Sequence, residues 1–259
     1  MICAGIDAGS RAIKIVLLDS SGPAVLASAA ADQGLDPGRL SSGLLAELLE
    51  RASIRRGDLA RIVATGYARQ SVREADTTIT EITCHARGVR HAAPEAMTVV
   101  EIGGQDSKLL RLHRDGAVRD FAMNDRCAAG TGRFLEVVSG RLGLGIADMG
   151  RLAAASAKPA RISSTCVVFA ETEIIGLLAD GGRPEDIVAG VQNAIASRVA
   201  AMAGRDFSPP VVFTGGVALT PGMDRALAEA LETPVRIAPD PQMTGALGAA
   251  ILAAGQVGA

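Results

Sequence analysis

The feature that most constrains this chain is a pattern of strand, glycine turn and strand that occurs twice. The segments ICAGID and AIKIVLLD flank the turn AGSR near the start of the chain. The segments MTVVEIG and KLLRLHR flank the turn GQDS from residue 97 onwards. Apolar runs bounded by glycine-containing turns predict β-hairpins. The sequence therefore predicts two halves of similar design, each of which opens with a hairpin.

The rest of the chain mixes strands and helices. A long alanine-rich helix is predicted to begin at Pro184, because proline is favoured in the first turn of a helix. The other predicted elements are strands at residues 25–31, 62–64, 118–123 and 210–215, and helices at residues 40–52, 80–90, 131–142, 167–178 and 244–254, with a glycine-rich connection before residue 167. The fold class is therefore α/β.

These elements predict two similar βαβ-type halves around a nucleotide cleft. We place the first half at residues 1–93, joined by a C-terminal helix at 244–259. The second half spans 94–243 and carries two of the cysteines. Pro94 marks the boundary, and because no long Pro- or Ser-rich linker separates the halves, we expect them to pack closely.

Composition excludes several classes of function. Apolar residues make up 48% of the 259 residues but aromatic residues only 2%, so stacking platforms for single-stranded nucleic acid are not expected. A net charge of −2 lacks the basic excess that binds phosphate backbones. The sequence has no run of 18 apolar residues, and its first residues do not show the basic region followed by an apolar region that is typical of a signal peptide. We therefore expect a cytoplasmic protein that binds neither nucleic acid nor membrane.

The first turn is a candidate phosphate-binding loop. Asp7 ends a predicted strand, and Gly9 lets backbone N–H groups approach an oxyanion closely. Ser10 and Lys14 are further donors. Taken alone, the same residues also describe an ordinary hairpin turn.

The second turn repeats this design. Glu101 stands at the end of a strand and is followed by Gly103, Gly104, Gln105 and Asp106. Hydrolysis of a phosphoanhydride needs Mg²⁺ to neutralise charge and a group that orients the attacking water. We therefore expect Glu101 and Gln105, together with the Asp7 carboxylate, to act in catalysis.

A third glycine turn, with Thr214, Gly215 and Gly216, follows a strand and precedes a predicted helix. We interpret it as the binding site for the nucleoside end of a nucleotide, although it also describes an ordinary strand-to-helix turn. In their order and spacing, the three turns resemble those of the actin, sugar-kinase and heat-shock chaperone nucleotide-binding superfamily. That resemblance implies ATP and ADP as ligands.

Four cysteines occur in the chain. Cys127 and Cys166 each stand just before a predicted helix, where the helix dipole and free N–H groups favour a thiolate. Their spacing of 39 residues is not a metal motif, so the residues alone favour small buried apolar side chains for both. Cys3 is expected to pack in the core, and Cys84 with its neighbour His85 is expected to pack a helix rather than to bind metal.

The strings GIDAGS, TGYAR, EITCHA, IGGQDSK, MNDRCAAGTGRF, ISSTCVVFAETEII, FTGGVA and PQMTGALGAA run in order along nearly the whole chain. They resemble the ATP-dependent activators (archerases) of 2-hydroxyacyl-CoA dehydratases, a family that includes the ATPase subunits of class I benzoyl-CoA reductase. The resemblance implies that Cys127 and Cys166 hold one [4Fe–4S] cluster per homodimer. It implies Mg²⁺ near Asp7 and Glu101, and nucleotide contacts that include Gly245.

The same resemblance implies partner proteins, and this chain departs from the family pattern at one position. A low-potential electron would pass from ferredoxin or flavodoxin, through the cluster, to a dehydratase or a related reductase in an anaerobic cytoplasm. The family commonly has Asp where this chain has Glu101, so hydrolysis is expected to be retained but slower.

Glu171 and Glu173 follow Cys166 in the sequence. We expect them to be carboxylates in the first turn of a helix, and the alternative is that they relay the nucleotide state.

Two other classes of function remain open from the residues alone. A small-molecule kinase would use the same cleft, with Asp7 or Glu101 near the acceptor. A non-catalytic nucleotide-sensing scaffold would also bind in this way. Iron content distinguishes the leading interpretation from both.

Overall fold

The computed structural model describes residues 1–22, 24–163 and 166–257. The chain divides into two compact units. Unit 1 comprises Met1–Glu95, Leu112–Val118 and Gln242–Ala259, and unit 2 comprises Ala96–Arg111 and Arg119–Pro241. The domain boundaries drawn from the sequence stay a prediction. The last two residues of the predicted C-terminal helix, Gly258 and Ala259, lie outside the described residues.

The described residues form both strands and helices, with three strands at the start of each half and four consecutive helices after β8. The strands are β1 (Ile2–Ala8), β2 (Ala12–Asp19), β3 (Ala24–Asp32), β4 (Leu59–Thr65), β5 (Thr77–Thr78), β6 (Thr98–Ile102), β7 (Ser107–Leu112), β8 (Val118–Asn124), β9 (Val211–Thr214) and β10 (Val235–Ile237). The helices are α1 (Pro37–Arg51), α2 (Glu81–Ala92), α3 (Gly132–Leu142), α4 (Ile146–Ala154), α5 (Val167–Ala179), α6 (Pro184–Ala203), α7 (Met223–Ala230) and α8 (Thr244–Gly255).

The two sheets have the same strand arrangement. The first has the order β3-β2-β1-β4-β5, and the second, taken from the matching edge, has the order β8-β7-β6-β9-β10. In the first sheet β1 is antiparallel to β2 and parallel to β4. In the second sheet β6 is likewise antiparallel to β7 and parallel to β9. The predicted α/β fold of two similar halves is confirmed.

In unit 1, helix α8 packs directly against α2 and β1 because its residues are small. A Cβ atom at Gly248 would lie 1.7 Å from the carbonyl oxygen of Cys84, and one at Gly5 would lie 2.0 Å from that of Ala246. Backbones this close leave no room for side chains. The small-residue pattern of the last helix therefore allows its close packing on α2 and β1.

The core of unit 2 surrounds helix α6 and the second sheet. It consists of aliphatic residues together with Phe134 and Phe213. The long alanine-rich helix begins at Pro184, as predicted.

Three predictions about elements are wrong. The glycine-rich connection before residue 167 contains helix α4, in which Met149 and Ala153 are buried. Gly150 reads as a loop residue, but its missing side chain lets α4 approach Pro221, which a Cβ atom would meet at 2.4 Å. Strands β5 and β10 have no counterpart in the sequence-based assignment, and the helix predicted after the third glycine turn, α7, begins only at Met223. The first helix begins at Pro37, capped by Asp36, and not at residue 40.

Candidate functional site

The first candidate phosphate turn connects β1 and β2 in unit 1. Asp7 pairs with Lys14 across the antiparallel strands. The Lys14 Nζ atom donates to Asp7 Oδ2 at 3.1 Å, and both side chains are largely buried. The Gly9 N–H donates to the carbonyl oxygen of Ala12 and closes the turn. Ser10 lies on the same turn. The structure therefore brings together the four residues predicted to form the first phosphate-binding loop, namely Asp7, Gly9, Ser10 and Lys14.

The second turn connects β6 and β7 in unit 2. Glu101 pairs with Lys108 across the strands. The Lys108 Nζ atom donates to Glu101 Oε2 at 2.9 Å and to Asp106 Oδ2 at 2.5 Å. The Gly103 N–H donates to the carbonyl oxygen of Asp106 and closes this turn. Gln105 is exposed on the turn, so its predicted role in orienting water stays a prediction.

Each acidic residue has the same neighbour on the parallel strand. Thr65 in β4 pairs with Asp7, and Thr214 in β9 pairs with Glu101. Both threonines are fully buried. The two acidic turns therefore share one three-strand arrangement. The central strand carries the carboxylate, its antiparallel neighbour carries the lysine, and its parallel neighbour carries the threonine.

Glycines surround both carboxylates. Gly66 and Gly215 follow the two threonines and have φ angles of 95° and 91°, a region that favours glycine. A Cβ atom at Gly66 would lie 2.5 Å from Asp7 Oδ1, and one at Gly215 would lie 2.7 Å from Glu101 Oε1. A Cβ atom at Gly103 would lie 3.3 Å from the same Glu101 oxygen. Each carboxylate is therefore bordered by bare backbone.

Sequence reasoning missed three of these residues: Lys108, Thr65 and Gly66. The spacing of seven residues from Asp7 to Lys14 recurs from Glu101 to Lys108. The string TGYAR in the first half likewise matches FTGGVA in the second. An internal comparison of the two halves would have found all three.

The third turn lies beside the second. The Thr214 hydroxyl donates to the carbonyl oxygen of Pro241 at 2.5 Å, and the Gly215 N–H donates to the same oxygen at 2.9 Å. The turn leads into a 3₁₀ helix, Gly216–Leu219, and not directly into an α-helix. Its predicted contact with the nucleoside stays a prediction.

Gly245 lies next to Asp7 in unit 1. A Cβ atom at Gly245 would lie 3.1 Å from Asp7 Oδ2 and 3.2 Å from His85 Nε2. The other ring nitrogen, His85 Nδ1, forms a hydrogen bond with the Thr244 hydroxyl at 3.2 Å. Cys84 is buried against α8, and this burial raises the pKa of its thiol to about 11. The packing role predicted for Cys84 and for Cys3, which is also buried, is confirmed.

Cys127 lies on a closed loop in unit 2. Asn124 Oδ1 accepts from the Cys127 N–H at 3.1 Å, and Asn124 Nδ2 donates to the Cys127 carbonyl oxygen at 2.8 Å. Cys127 precedes a 3₁₀ turn, Ala128–Gly130, while α3 begins later and is capped by Thr131. Cys127 therefore stands before α3, as predicted, but the 3₁₀ turn separates it from the first turn of that helix.

Cys166 is the N-cap residue of α5, as predicted, and it is exposed. Glu171 and Glu173 are not in the first turn of α5, so that prediction is wrong by one turn. Glu171 forms an ion pair with Arg141 of α3. Glu173 accepts hydrogen bonds from the Ser163 N–H at 2.9 Å and from its hydroxyl at 2.7 Å. These contacts hold Ser163 on α5 and connect α5 to α3.

Helix α3 also contacts the second acidic turn. The Gly132 N–H donates to the carbonyl oxygen of Gly103, and the Arg133 N–H donates to that of Gly104, each at 2.9 Å. The first N–H groups of a helix have no acceptor within the helix. In α3, two of them donate to carbonyl oxygens of the second acidic turn. The turn and the Cys127 loop lie at the same end of α3.

The structure resembles nucleotide-dependent kinases and ATPases. A ROK hexokinase from Thermus thermophilus superposes with a TM-score of 0.55 at 15% identity, covering 99% of both chains. At that identity the likeness shows the fold alone, which is the actin-like ATPase and sugar-kinase fold.

Residues 4–253 match the BadF/BadG/BcrA/BcrD ATPase family. The chain belongs to that family, as its motifs predicted, and is an ATPase. The (R)-2-hydroxyglutaryl-CoA dehydratase activating ATPase of Acidaminococcus fermentans is 42% identical over 251 residues, 96% of this chain and 95% of the relative. One of the subunits of the benzoyl-CoA reductase of Thauera aromatica is 31% identical over 262 residues, 96% of this chain and 92% of the relative.

A solved structure of a dehydratase activator is far more similar than the kinase. The activator of the 2-hydroxyisocaproyl-CoA dehydratase from Clostridium difficile, with bound ADPNP, superposes with a TM-score of 0.94 at 40% identity. The match covers 99% of this chain and 96% of the activator. The whole length of this chain therefore corresponds to the activator fold.

The side chains present fit the groups that the family implies. In residues 1–22, 24–163 and 166–257, no group of three or more His, Cys, Asp or Glu side chains could hold a metal ion alone. Mg²⁺ at nucleotide sites is held by one or two carboxylates together with phosphates and waters, and the bare backbone beside Asp7 and Glu101 suits that ligand set. Cys127 and Cys166 supply two thiols, half of the four that a [4Fe–4S] cluster takes.

Within the described part of the chain, none of the helices combines the length and the apolar character needed to cross a bilayer.

Proposed function

We propose that this chain is an ATP-hydrolysing activator of a 2-hydroxyacyl-CoA dehydratase. It acts as a homodimer in which Cys127 and Cys166 of both copies hold one [4Fe–4S] cluster. Ferredoxin or flavodoxin supplies the electron, and the activator delivers it to the dehydratase. The similarity to dehydratase activators over nearly the whole chain supports this proposal.

The contrast among the four cysteines carries the proposal. Cys3 and Cys84 are buried in unit 1, whereas Cys127 is half-buried and Cys166 is exposed in unit 2. An exposed thiol at the start of a 13-residue helix is placed to bind an anionic centre. Because each copy offers two thiols that are not buried, Cys127 and Cys166, and the cluster takes four, two copies complete the ligand set.

The two acidic turns supply the chemistry for ATP. Asp7 and Glu101 hold Mg²⁺ directly or through water, and bound Mg²⁺ neutralises charge that develops on the phosphates. Ser10 and Lys14 donate to phosphate oxygens, and Gly9, whose N–H closes the turn, lets a phosphate approach the backbone. Gln105 orients the attacking water.

The remaining predicted nucleotide contacts follow the same logic. Backbone N–H groups of the second turn approach the phosphates because this turn has little side-chain bulk. The residues assigned here are Gly103, Gly104 and Asp106 for the phosphates, and Thr214, Gly215, Gly216 and Gly245 for the rest of the nucleotide.

The bound cluster supplies one-electron transfer at low potential. The chain supplies the connection between the nucleotide and the thiols. Gly103 and Gly104 accept the first N–H groups of α3, and Arg141 of α3 pairs with Glu171 of α5. A change in the turn therefore reaches both the Cys127 loop and the helix that begins after Cys166.

The proposal is tested by purifying the protein without oxygen and measuring iron and acid-labile sulfide. We expect a brown dimer with about four irons per dimer. Cys127→Ser and Cys166→Ser should each lose the cluster absorbance while retaining most nucleotide binding. Cys84→Ala is the matched control, because Cys84 is buried in packing on α8, and it should keep its iron.

A colourless, monomeric protein under all nucleotide conditions would contradict the redox role and favour a phosphotransferase of the same fold. The relative from a benzoyl-CoA reductase supports a second candidate, in which the protein is the ATPase subunit of a ring-reductase complex. Electron delivery to a purified dehydratase, compared with delivery to a ring reductase, distinguishes these two roles.

A further inference from the structure

Lys108 is an unusual residue in this chain. Arginine supplies all but three of the 26 basic residues, and two of the three lysines, Lys14 and Lys108, lie on the strands that follow the acidic turns. The Lys108 side chain is only 3% exposed. Burial of an ammonium group is costly unless opposite charges compensate it. Its neighbours must therefore account for its presence.

Those neighbours are two carboxylates of the second turn. The Nζ atom bonds Glu101 Oε2 at 2.9 Å and Asp106 Oδ2 at 2.5 Å. The other oxygens of the same carboxylates lie near one place: a Cβ atom at Gly103 would lie 2.7 Å from Asp106 Oδ1 and 3.3 Å from Glu101 Oε1. Lys108 thus holds one oxygen of each carboxylate, and the remaining pair borders the bare backbone of the turn.

This arrangement has a clear electrostatic consequence. Two carboxylates this close repel one another, and with little water around them a nearby positive charge relieves that repulsion. Lys108 supplies that charge, so the site carries a net charge of about −1 from the three groups. Without Lys108, two carboxylates would face one spot, and oxygen donors of that kind bind divalent cations.

The first turn provides an internal contrast. When the turns are aligned from Asp7 and Glu101, Ala12 stands where the second turn has Asp106. Lys14 bonds the Asp7 carboxylate in a turn that lacks the second acid. A lysine shared between two carboxylates is therefore a property of the second turn.

We propose that Lys108 is a positioning residue that holds Glu101 and Asp106 as a fixed pair and prevents the pair from binding a divalent cation before nucleotide arrives. Glu101 and Asp106 would then hold a metal only together with the phosphates, whose oxygen atoms would complete its ligand set. The inference rests on the proposed function only in assigning the second turn to Mg²⁺ and nucleotide.

The test measures Mn²⁺ binding to the full-length protein without nucleotide, by electron paramagnetic resonance of free Mn²⁺. We expect weak binding to the unsubstituted protein and at least about tenfold tighter binding to Lys108→Met, because a compensating charge next to two carboxylates is lost. The double variant Lys108→Met with Asp106→Asn should lose this gain. A purely structural disturbance would not be reversed by removing the second carboxylate.

Two lysine variants serve as controls. Lys158 is exposed in unit 2, and Lys158→Met should bind Mn²⁺ as the unsubstituted protein does. Lys14→Met leaves one carboxylate rather than two, so its gain should be below that of Lys108→Met.

Each result decides the question. Equal Mn²⁺ affinity in folded Lys108→Met and in the unsubstituted protein would overturn the proposal. If Lys108→Met does not fold but the double variant does, uncompensated charge is the defect, which supports the proposal. If both fail to fold, Lys108 is needed for folding and the proposal is wrong. Because no nucleotide, cluster or dehydratase enters the measurement, failure of the proposed function would leave the Mn²⁺ result unchanged.

Discussion

The two acidic turns of this protein share a backbone arrangement but differ in charge. Each places a carboxylate at the end of a strand, a lysine seven residues later on the antiparallel neighbour, and a buried threonine on the parallel neighbour. The first turn has one acid, Asp7. The second has two, Glu101 and Asp106, and Lys108 bonds both. Strand pairing therefore sets where the carboxylate and ammonium groups lie, and the turn residues set the local charge.

The comparison also shows how the longer side chain of Glu101 is accommodated. Its Oε1 atom lies against Gly215, where a Cβ atom would be 2.7 Å away, and its Oε2 atom bonds Lys108. Both oxygens are therefore fixed by neighbours within unit 2. The extra methylene relative to Asp does not leave the carboxylate loose.

The largest expected effect comes from neutralising either acid. Asp7→Asn and Glu101→Gln should each lower kcat for ATP hydrolysis by about 10²-fold or more, because a preorganised charge at the reacting phosphates is lost. Phosphate release at saturating ATP and Mg²⁺ measures this. Glu229→Gln, an exposed change on α7, is the control and should have no effect. Turnover above half of normal in either acid variant would remove that acid from the catalytic assignment.

A moderate effect is expected from adding a methyl group beside each carboxylate. Gly66→Ala and Gly215→Ala impose a φ cost of about 1–2 kcal/mol. They also place a Cβ atom close to the backbone at the end of the neighbouring parallel strand, 2.5 Å from Ala8 of β1 and 2.4 Å from Ile102 of β6. Overlap of this kind costs roughly 1–3 kcal/mol more. The free energy of unfolding, measured with denaturant, should therefore fall in both variants, and the KM for ATP should change.

Gly181→Ala separates these two costs. Gly181 has a φ angle of 85°, and a Cβ atom there would meet nothing within 4 Å, so only the φ cost applies. If all three variants lose the same stability, the close approach of the glycines to the carboxylates is unimportant. If Gly66→Ala and Gly215→Ala differ strongly from each other, the two turns are less alike than their backbones indicate.

The parts of this arrangement that sequence could predict are those encoded locally. Hairpins, acidic strand ends and glycine turns depend on residues close together in the chain, and Asp7, Gly9 and Glu101 are predicted in this way. Lys108 and Thr65 depend instead on which residues face each other across strands. That register becomes visible only when the pairing is known or when the two halves are compared.

Predictions of helix boundaries are wrong where glycine serves packing and not a turn. Gly150 indicates a loop, although in the structure it lies within α4 and allows contact with Pro221. Cys127 is predicted to stand directly before the helix at residues 131–142, whereas in the structure a 3₁₀ turn lies between Cys127 and that helix. In both cases tertiary packing, which a single sequence does not display, selects the local conformation.

The smallest expected effect comes from exchanging the two acids. Glu101→Asp shortens the side chain to the length found at Asp7 and should raise kcat by about two- to fivefold, a change of roughly 1 kcal/mol or less in the barrier. The converse change, Asp7→Glu, should lower it, because the backbone of Gly245 and of Gly66 approaches the Asp7 oxygens so closely that a Cβ atom there would lie within 3.1 Å of them, which leaves little room for a longer side chain. Rates at saturating Mg²⁺ and ATP measure both changes. A fall in kcat for Glu101→Asp would show that Lys108 and Gly215 are arranged around glutamate, and the two turns would then have separate requirements for side-chain length despite their common backbone.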